Sequence, residues 1–551
     1  MILTYWDNYH DWLKWADDET KIELLSLTDS KDIEDRFYKN LEFGTGGMRG
    51  IMGAGSNRMN KYVVRKATKG LADYLHNKYS EAISRGIVIA YDSRNHSKEF
   101  ALETACVLCS AGIPVKLFEE LEPTPLLSFA VKYLHAIAGI VITASHNPKE
   151  YNGYKVYDEY GDQIVPNIAN ELSTYINAVN DLSSIDVSGN VALLEKIGES
   201  VVEAFLNAVY EQSIFQGKVY PLKIVYTPLH GAGNKPVRRI LDKAGFKDIN
   251  IVVEQESPDG NFSTVKSPNP EEKSALTLGL VLGKRLHADI VIGTDPDSDR
   301  IGVGIYDGHD FILLSGNQIG ALLVDFIFTM RRNTISPFAT LVKTVVTGEL
   351  GADIARKKGI QVVETLTGFK YIGEKITKYR NDTKHDFIMG YEESYGYLVG
   401  THSQDKDAVV AALLICEMAS YYKQQGKTLV DVLKQLYAEY GYYYDALDSY
   451  TLKGKDGLKR IGDIMDSLRQ NDIAAVLPDI HTIFDYNEGI NGLPKENLLK
   501  FIMTDGSWFA IRPSGTEPKI KIYYSIKAKN EEQALTKLKK IKIALKNIIG
   551  V

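Results

Sequence analysis

Three cysteines in 551 residues are too few for a disulfide framework. Cys106 and Cys109 form a C-x-x-C pair inside the helix-like run KEFALETACVLCSAG, and only Cys416 remains to supply a third thiolate. Plain core packing is therefore expected there, not a zinc site. No uninterrupted apolar run reaches the roughly 18 residues of a membrane span. The opening MILTYWDNYHDWLKWADDET carries acidic residues where a secretory signal has a basic flank and an apolar core. A cytoplasmic location is the default expectation. A basic surplus is also missing: 64 Lys and Arg against 71 Asp and Glu leave a net charge of −7. That balance argues against general binding to nucleic acid or a membrane surface, while leaving room for a local basic pocket. Nucleotide and hydrolase signatures fail as well. FGTGGMRGIMGAGSNRMN (43–60) misses G-x-G-x-x-G because Arg49 takes the last glycine place, and it follows a helical pattern. GFKYIGEK (368–375) has Glu374 where a P-loop needs lysine, and G-x-S-x-G is absent.

What the chain does have is one arrangement repeated. A short apolar strand runs into polar or glycine-rich residues and then into a helical pattern. GIVIAYDSR (86–94), GIVITASHNP (139–148), KIVYTPLHGAG (223–233), ADIVIGTDPDSDR (288–300), TLVKTVVTGELG (340–351) and DFIMGYEESYG (386–396) all follow it. Such alternation predicts α/β domains with mostly buried strands. In open α/β sheets ligands lie beyond the carboxyl ends of strands, so these polar ends are the candidate site segments. Residues 1–40 read as helical, as does 167–215. The aromatic segment 434–450 reads as a linker into a last domain that ends in a Lys-rich amphipathic helix, 530–548. The expected domains are 1–205, 206–308, 309–440 and 441–551.

GTDPDSDRIGVG (293–304) places Asp295, Asp297 and Asp299 at alternate positions, so an extended chain would point all three carboxylates to one side. Three converging carboxylates repel unless a cation joins them, and hard oxygen ligands suit Mg²⁺. An EF-hand would need glycine where Arg300 stands and glutamate where Tyr306 stands. In TASHNPKEYNGYKVY (143–157), Ser145 is either a nucleophile or a helix cap, and Pro148 with Asn152-Gly153 favours a turn over a helix start. RPSGTEPKIKIYY (512–524) offers an anion site: the planar fork of Arg512, with hydroxyls and backbone N–H groups of Ser514, Gly515 and Thr516. In GYEESYG (390–396), Glu392 and Ser394 suit sugar hydroxyls, although paired glutamates are commonly just a solvated face.

Taken together, these segments resemble the α-D-phosphohexomutases. TASHNP looks like that family's phosphoserine loop, DPDSDR its metal loop, EESYG its sugar loop and RPSGTEP its phosphate loop, in the family's order across nearly the whole chain. GTGGMRG and Glu-Glu-Ser-Tyr-Gly resemble the phosphoglucomutase and phosphopentomutase branch. The resemblance implies three related α/β domains with mixed sheets plus a C-terminal α+β domain around a central cleft. It implies a phosphoryl group on Ser145, and one Mg²⁺ per chain held by that group with Asp295, Asp297 and Asp299. His146, Lys155, Arg300 and Arg49 would surround the phosphoserine. Lys343, Glu392 and Ser394 would meet substrate, and Arg512, Ser514, Gly515 and Thr516 the phosphate that is not transferred.

The activity so implied is an intramolecular phosphotransferase of the isomerase class. It would interconvert glucose 1-phosphate and glucose 6-phosphate through a sugar bisphosphate, with glucose 1,6-bisphosphate as activator. Pentose phosphate, mannose phosphate and glucosamine phosphate mutases are the alternatives within the class. A phosphatase and a non-catalytic sugar-phosphate sensor stand outside it. Small sugar phosphates are the expected partners, in a monomer or homodimer. Lys155 and His146 both qualify as general base, and the sequence does not rank them.

Overall fold

The structure, a computed structural model, describes residues 4–44, 46–452, 455–470, 473–513 and 519–550. It resolves into two compact units. The first holds the chain through Leu314 together with Ile372–Asp382 and Gly396–Gln424; the second holds Ser315–Tyr371, Thr383–Tyr395 and the chain from Gln425 onward.

Three short helices open the first unit: Tyr5–Trp15, Asp18–Leu25 and Ser30–Phe37. Each begins where a side chain accepts a free backbone N–H: Thr4 from Asp7, Asp17 from Thr20, Asp29 from Lys31. Trp12 meets Phe37 and Tyr62 edge-on at 5.7 and 5.4 Å, which fastens this helical segment to the helix Lys61–Lys78.

Two mixed sheets follow. The first contains β1 (Gly47–Ile51), β2 (Ile87–Tyr91), β3 (Val115–Phe118), β4 (Ala138–Ile142), β5 (Tyr151–Asp158) and β6 (Leu194–Ile197), in the order β1-β5-β4-β2-β3-β6. The second contains β7 (Ile224–Thr227), β8 (Ile249–Ile251), β9 (Ile290–Thr294), β10 (Ile301–Tyr306) and β11 (Phe311–Leu314), in the order β11-β10-β9-β7-β8. β2, β4, β7 and β9 are buried along their whole length. That is the pattern of parallel strands covered on both faces, and it explains why they read as continuous apolar runs. β2 is parallel to β4, and β7 to β9. The segments leaving their carboxyl ends are the ones that carry the polar motifs.

In the second unit β12 (Ala339–Thr344) lies parallel to β13 (Gln361–Thr365) on one side and to β14 (Asp386–Glu392) on the other. β15 (Gly396–Val399) falls in the first unit. The C-terminal sheet is antiparallel: β16 (Tyr442–Thr451), β17 (Ile480–Asp485), β18 (Leu499–Met503), β19 (Trp508–Pro513) and β20 (Lys519–Ala528), ordered β16-β20-β19-β18-β17. Its core is shared with the helix Glu531–Ile549, whose Ala534, Leu538, Ile541 and Leu545 are buried.

β11 pairs antiparallel with β10, so the second sheet runs on to Leu314, six residues past the expected division at 308. Two readings of the sequence are corrected here. The segment 434–450 is not a linker, because Leu429–Tyr440 is a helix and Tyr442–Thr451 is a ten-residue strand. Within that strand Tyr442, Tyr444, Ala446 and Tyr450 share one face and pack on the C-terminal core. Asn152-Gly153 is not a turn; both lie in β5, where Gly153 is required because a Cβ would sit 2.5 Å from the Thr143 carbonyl oxygen.

Glu122, buried at 9 % exposure, gives a pH test of this packing. Burial, then the charge of Glu120, pushes its carboxyl up from 4.5 to about 8. The folded chain therefore holds a proton there that the unfolded chain releases. Stability from this group is complete below pH 4.5 and is lost as pH rises toward about 8. Glu122→Gln should flatten that decline, read as urea midpoints at pH 5 and pH 8.5.

Candidate active site

The site in the first unit is built from strand ends. After β4 the chain turns at Ser145, which adopts a left-handed backbone with φ 51° and is 5 % exposed. Its N–H donates to Thr143 Oγ1 at 2.8 Å. Its hydroxyl donates to Asp295 Oδ2 at 2.7 Å, and His146 Nδ1 lies 3.2 Å from the same Oγ. A second left-handed residue, Ser298 with φ 51°, bends the segment after β9. This bend, not an extended strand, brings carboxylate oxygens of Asp295, Asp297 and Asp299 within 4.8 Å of one another, all buried. The loop following β7 braces it: Ala232 N–H donates to the Pro296 carbonyl, and a Cβ on Gly231 would fall 2.5 Å from Pro296 Cα.

The donors around the trio are unevenly shared. Asp295 Oδ1 accepts the backbone N–H groups of Asp299 and Arg300, both at 3.0 Å. Asp297 Oδ2 accepts from Thr124 Oγ1 at 2.8 Å and Lys155 Nζ at 2.9 Å. Asp299 Oδ2 faces Lys406 at 3.1 Å and Lys155 at 3.6 Å. The other oxygens, Oδ1 of Asp297 and of Asp299, are buried with no hydrogen bond among the described residues. Orphaned carboxylate oxygens on two converging side chains are what a hard divalent cation would satisfy. Burial and its two acidic neighbours push the Asp295 carboxyl well above the ordinary carboxylate range. Asp299, although equally buried, is held below it by Lys406, Lys155 and Arg300.

Of the residues expected beside Ser145, four lie at this site. Lys155 leaves β5, its ammonium stabilised against burial by Asp297 and Asp299. Arg300 pairs with Glu271 and lies 3.8 Å from Asp299 Oδ1. Arg49, on β1, donates to Asn147 Oδ1 at 3.1 Å. The His146 imidazole is kept neutral, first by burial and then by Arg300 and Arg49.

Sequence reasoning missed three residues of this site. Arg94, 3 % exposed, donates to the carbonyls of Pro148 at 2.9 Å, Tyr151 at 3.0 Å and Asn147 at 2.5 Å, and also to that of Ser145. It closes the serine loop as a buckle. Asp92 stands 3.4 Å from Arg94 Nε and accepts from Thr143 and Ser97. Both belong to the recurring strand end GIVIAYDSR, so the signal was present. Lys406, 3.0 Å from Asp405, lies between β15 and the helix Ala408–Gln424, a strand end that was not among the segments singled out in the sequence.

In the second unit Glu392 is buried and accepts the Gly368 N–H at 2.9 Å, while Ser394 is half-buried. Arg512 Nη1 lies 3.4 Å from Glu496. Its Nε and Nη1 are buried with no hydrogen bond among the described residues, which is a fork open to an anion. Lys370 shares this neighbourhood, lowered to about 8 by burial against the pull of Glu496. Ser514, Gly515 and Thr516 lie outside the described residues. The expectation for Lys343 is corrected. It is wholly buried, and its ammonium is spent on Glu349 at 2.9 Å, Glu364 at 2.8 Å and the Thr347 carbonyl at 3.0 Å, so no donor is left for substrate.

Comparison with known proteins finds a likeness to sugar-phosphate mutases in the succession of domains. Four family models match in order: phosphoglucomutase/phosphomannomutase α/β/α domains I, II and III over residues 40–182, 203–308 and 315–440, and the C-terminal domain over 460–540. A phosphoglucomutase of Staphylococcus haemolyticus is 37% identical over 540 residues, spanning 95% of this chain and 97% of its own. One from Staphylococcus aureus strain MSSA476 is 38% identical over 546 residues, spanning 96% and 97%. Among solved structures, the Paramecium phosphoprotein pp63/parafusin, a phosphoglucomutase in an open form, superposes with a TM-score of 0.70 at 17% identity over 93% of this chain and 95% of its own. No helix among the described residues is long and apolar enough to cross a membrane.

Proposed function

The chain belongs to the phosphoglucomutase/phosphomannomutase family, and we propose that it interconverts glucose 1-phosphate and glucose 6-phosphate through a phosphoryl group carried on Ser145. The observation that carries this reading is the Ser145 hydroxyl 2.7 Å from Asp295 within a buried carboxylate trio. A hydroxyl in that position is poorly explained as a helix cap, since no helix starts there. Pentose phosphates are the second substrate class within the reading.

Phosphoserine adds a charge of about −1.5 to −2 to three aspartates. Asp295, Asp297 and Asp299 would hold Mg²⁺, which supplies charge neutralisation and polarisation of phosphoryl oxygens. Lys155, Lys406 and Arg300 offset the remainder, and Arg49 stands at the edge of the serine loop. A free hydroxyl of the bound sugar phosphate attacks the phosphorus in line and gives up its proton, the bond to Ser145 Oγ breaks and that oxygen takes up a proton, and a sugar bisphosphate forms. After the bisphosphate turns over, its other phosphoryl group returns to Ser145 Oγ. In that return step the serine hydroxyl must lose a proton. That proton faces Asp295 Oδ2 in this structure; with Asp295 engaged by the cation, neutral His146 Nδ1, 3.2 Å away, would be the nearest acceptor, whereas Lys155 is held as an ammonium. General-base placement of this kind contributes about 10²–10⁴-fold. Glu392 and Ser394 are assigned to sugar hydroxyls, and Arg512, with Ser514, Gly515 and Thr516, to the phosphate that stays. Glucose 1,6-bisphosphate is the expected activator, because it can charge an empty Ser145.

Coupled assays with glucose 1-phosphate and ribose 1-phosphate test the substrate. Faster turnover of the glucose ester is expected, and preference for the pentose ester would overturn the hexose assignment. Asp297→Ala should weaken Mg²⁺ binding, read by titration calorimetry, by about 100-fold or more, beyond the scale of losing an outer-sphere partner.

A further inference from the structure

A cavity of about 420 Å³ opens in the second unit, between the helix Leu350–Lys357 with β13 and one face of the C-terminal sheet. It lies within the size range of small-molecule pockets, about 300–1,000 Å³. Its residues have no part in the phosphoryl transfer proposed above, so the two readings stand or fall separately.

The cavity wall is aromatic on one side, with Phe484, Tyr486 and Trp508. Elsewhere it is ionic and unbalanced. Glu349, Asp353 and Glu364 are shared among four cations: Lys343 behind the wall, and Arg356, Lys500 and Lys527 lining it. Lys500 is the most loosely held of them. Its side chain is 4 % exposed, and its ion pairs to Glu349 and Glu364 span 3.8 and 3.7 Å, longer than those of Lys343 to the same oxygens. The ammonium lies 4.4 Å from the centroid of the Trp508 ring. A buried cation whose carboxylates are committed to other partners is costly unless an anion completes it. Burial and neighbouring Lys343 lower the Lys500 ammonium, in keeping with that shortfall.

We propose that this cavity is a second ligand site, taking a planar ring that carries one anionic group, with the size and chemistry of a purine nucleoside monophosphate. The ring lies against Phe484, Tyr486 and Trp508, and the anion completes Lys500.

The test is calorimetric titration of adenosine 5′-monophosphate into the full chain, with and without saturating glucose 1,6-bisphosphate. One site is expected with a Kd below about 1 mM, unchanged by the bisphosphate and retained in Ser145→Ala. Lys500→Met should weaken it at least about tenfold. Ile502→Trp, which fills the cavity while leaving the ammonium in place, should do the same, and it keeps the test decisive if Lys500→Met does not fold. Adenosine and inorganic phosphate should each bind at least about tenfold more weakly than the nucleotide. Absence of binding, displacement by the bisphosphate, equal binding of adenosine or phosphate, or native affinity in a folded variant would each overturn the proposal.

Discussion

Replacing Ser145 with alanine lowers mutase turnover by about 10⁴-fold or more, the scale on which enzymes lose activity when a covalent nucleophile is removed. The argument is local. Oγ is the atom that lends and reclaims the phosphoryl group. The neighbouring Thr143 Oγ1 is committed to Asp92 at 2.6 Å, and Thr124 Oγ1, which does meet the trio, is spent as a donor to Asp297 at 2.8 Å. The alanine variant should keep its fold, because Ser145 contributes one small polar atom to the site. Retained Mg²⁺ binding with lost turnover separates loss of the nucleophile from loss of the site. Turnover within tenfold of the native chain would remove the covalent route.

Arg94→Met destabilises the first unit by about 3–5 kcal/mol, the cost of breaking a buried pair so that one charge stays behind. The Asp92 carboxylate, 2 % exposed, would lose the guanidinium beside it. The carbonyls of Ser145, Asn147, Pro148 and Tyr151 would lose their shared donor. Turnover should fall with stability, by about 100-fold, because the nucleophile is then no longer held in line. Arg94→Lys should not rescue either effect, since one ammonium cannot serve four carbonyls and a carboxylate as a planar fork does. Urea unfolding followed by circular dichroism should show an earlier first transition; the chain has two units, so one two-state fit to the whole curve is not meaningful. An unshifted first transition would show that the buckle is dispensable.

The chemistry was legible where it sits at the ends of buried parallel strands. Ser145 and the three aspartates follow runs such as AGIVI and IVIGT, which announce both the strand and its carboxyl end. The partners of those residues were harder to read. Arg94 works through backbone carbonyls, which leave no pattern in side-chain types. Lys406 reaches Asp299 from a segment more than a hundred residues away, a proximity that only tertiary structure creates. The aspartates converge through the left-handed turn at Ser298, not through strand alternation, so the right inference rested on the wrong geometry. Lys343 misled for the opposite reason. A lysine at a strand end looks available, but Glu349 and Glu364 close on it from the helix and strand that follow. In 434–450 the three consecutive tyrosines 442–444 masked the strand's period, because only Tyr442 and Tyr444 of them share the core-facing side.

The most direct test of the phosphoryl-carrying serine is an intact-mass measurement on dephosphorylated chain before and after incubation with glucose 1,6-bisphosphate and Mg²⁺. The account predicts a gain of one phosphoryl group, mapped to the peptide containing Ser145, released again as glucose 1-phosphate or glucose 6-phosphate is converted to bisphosphate, and absent in Ser145→Ala. No gain in mass, or a gain mapped to any other residue, would contradict it.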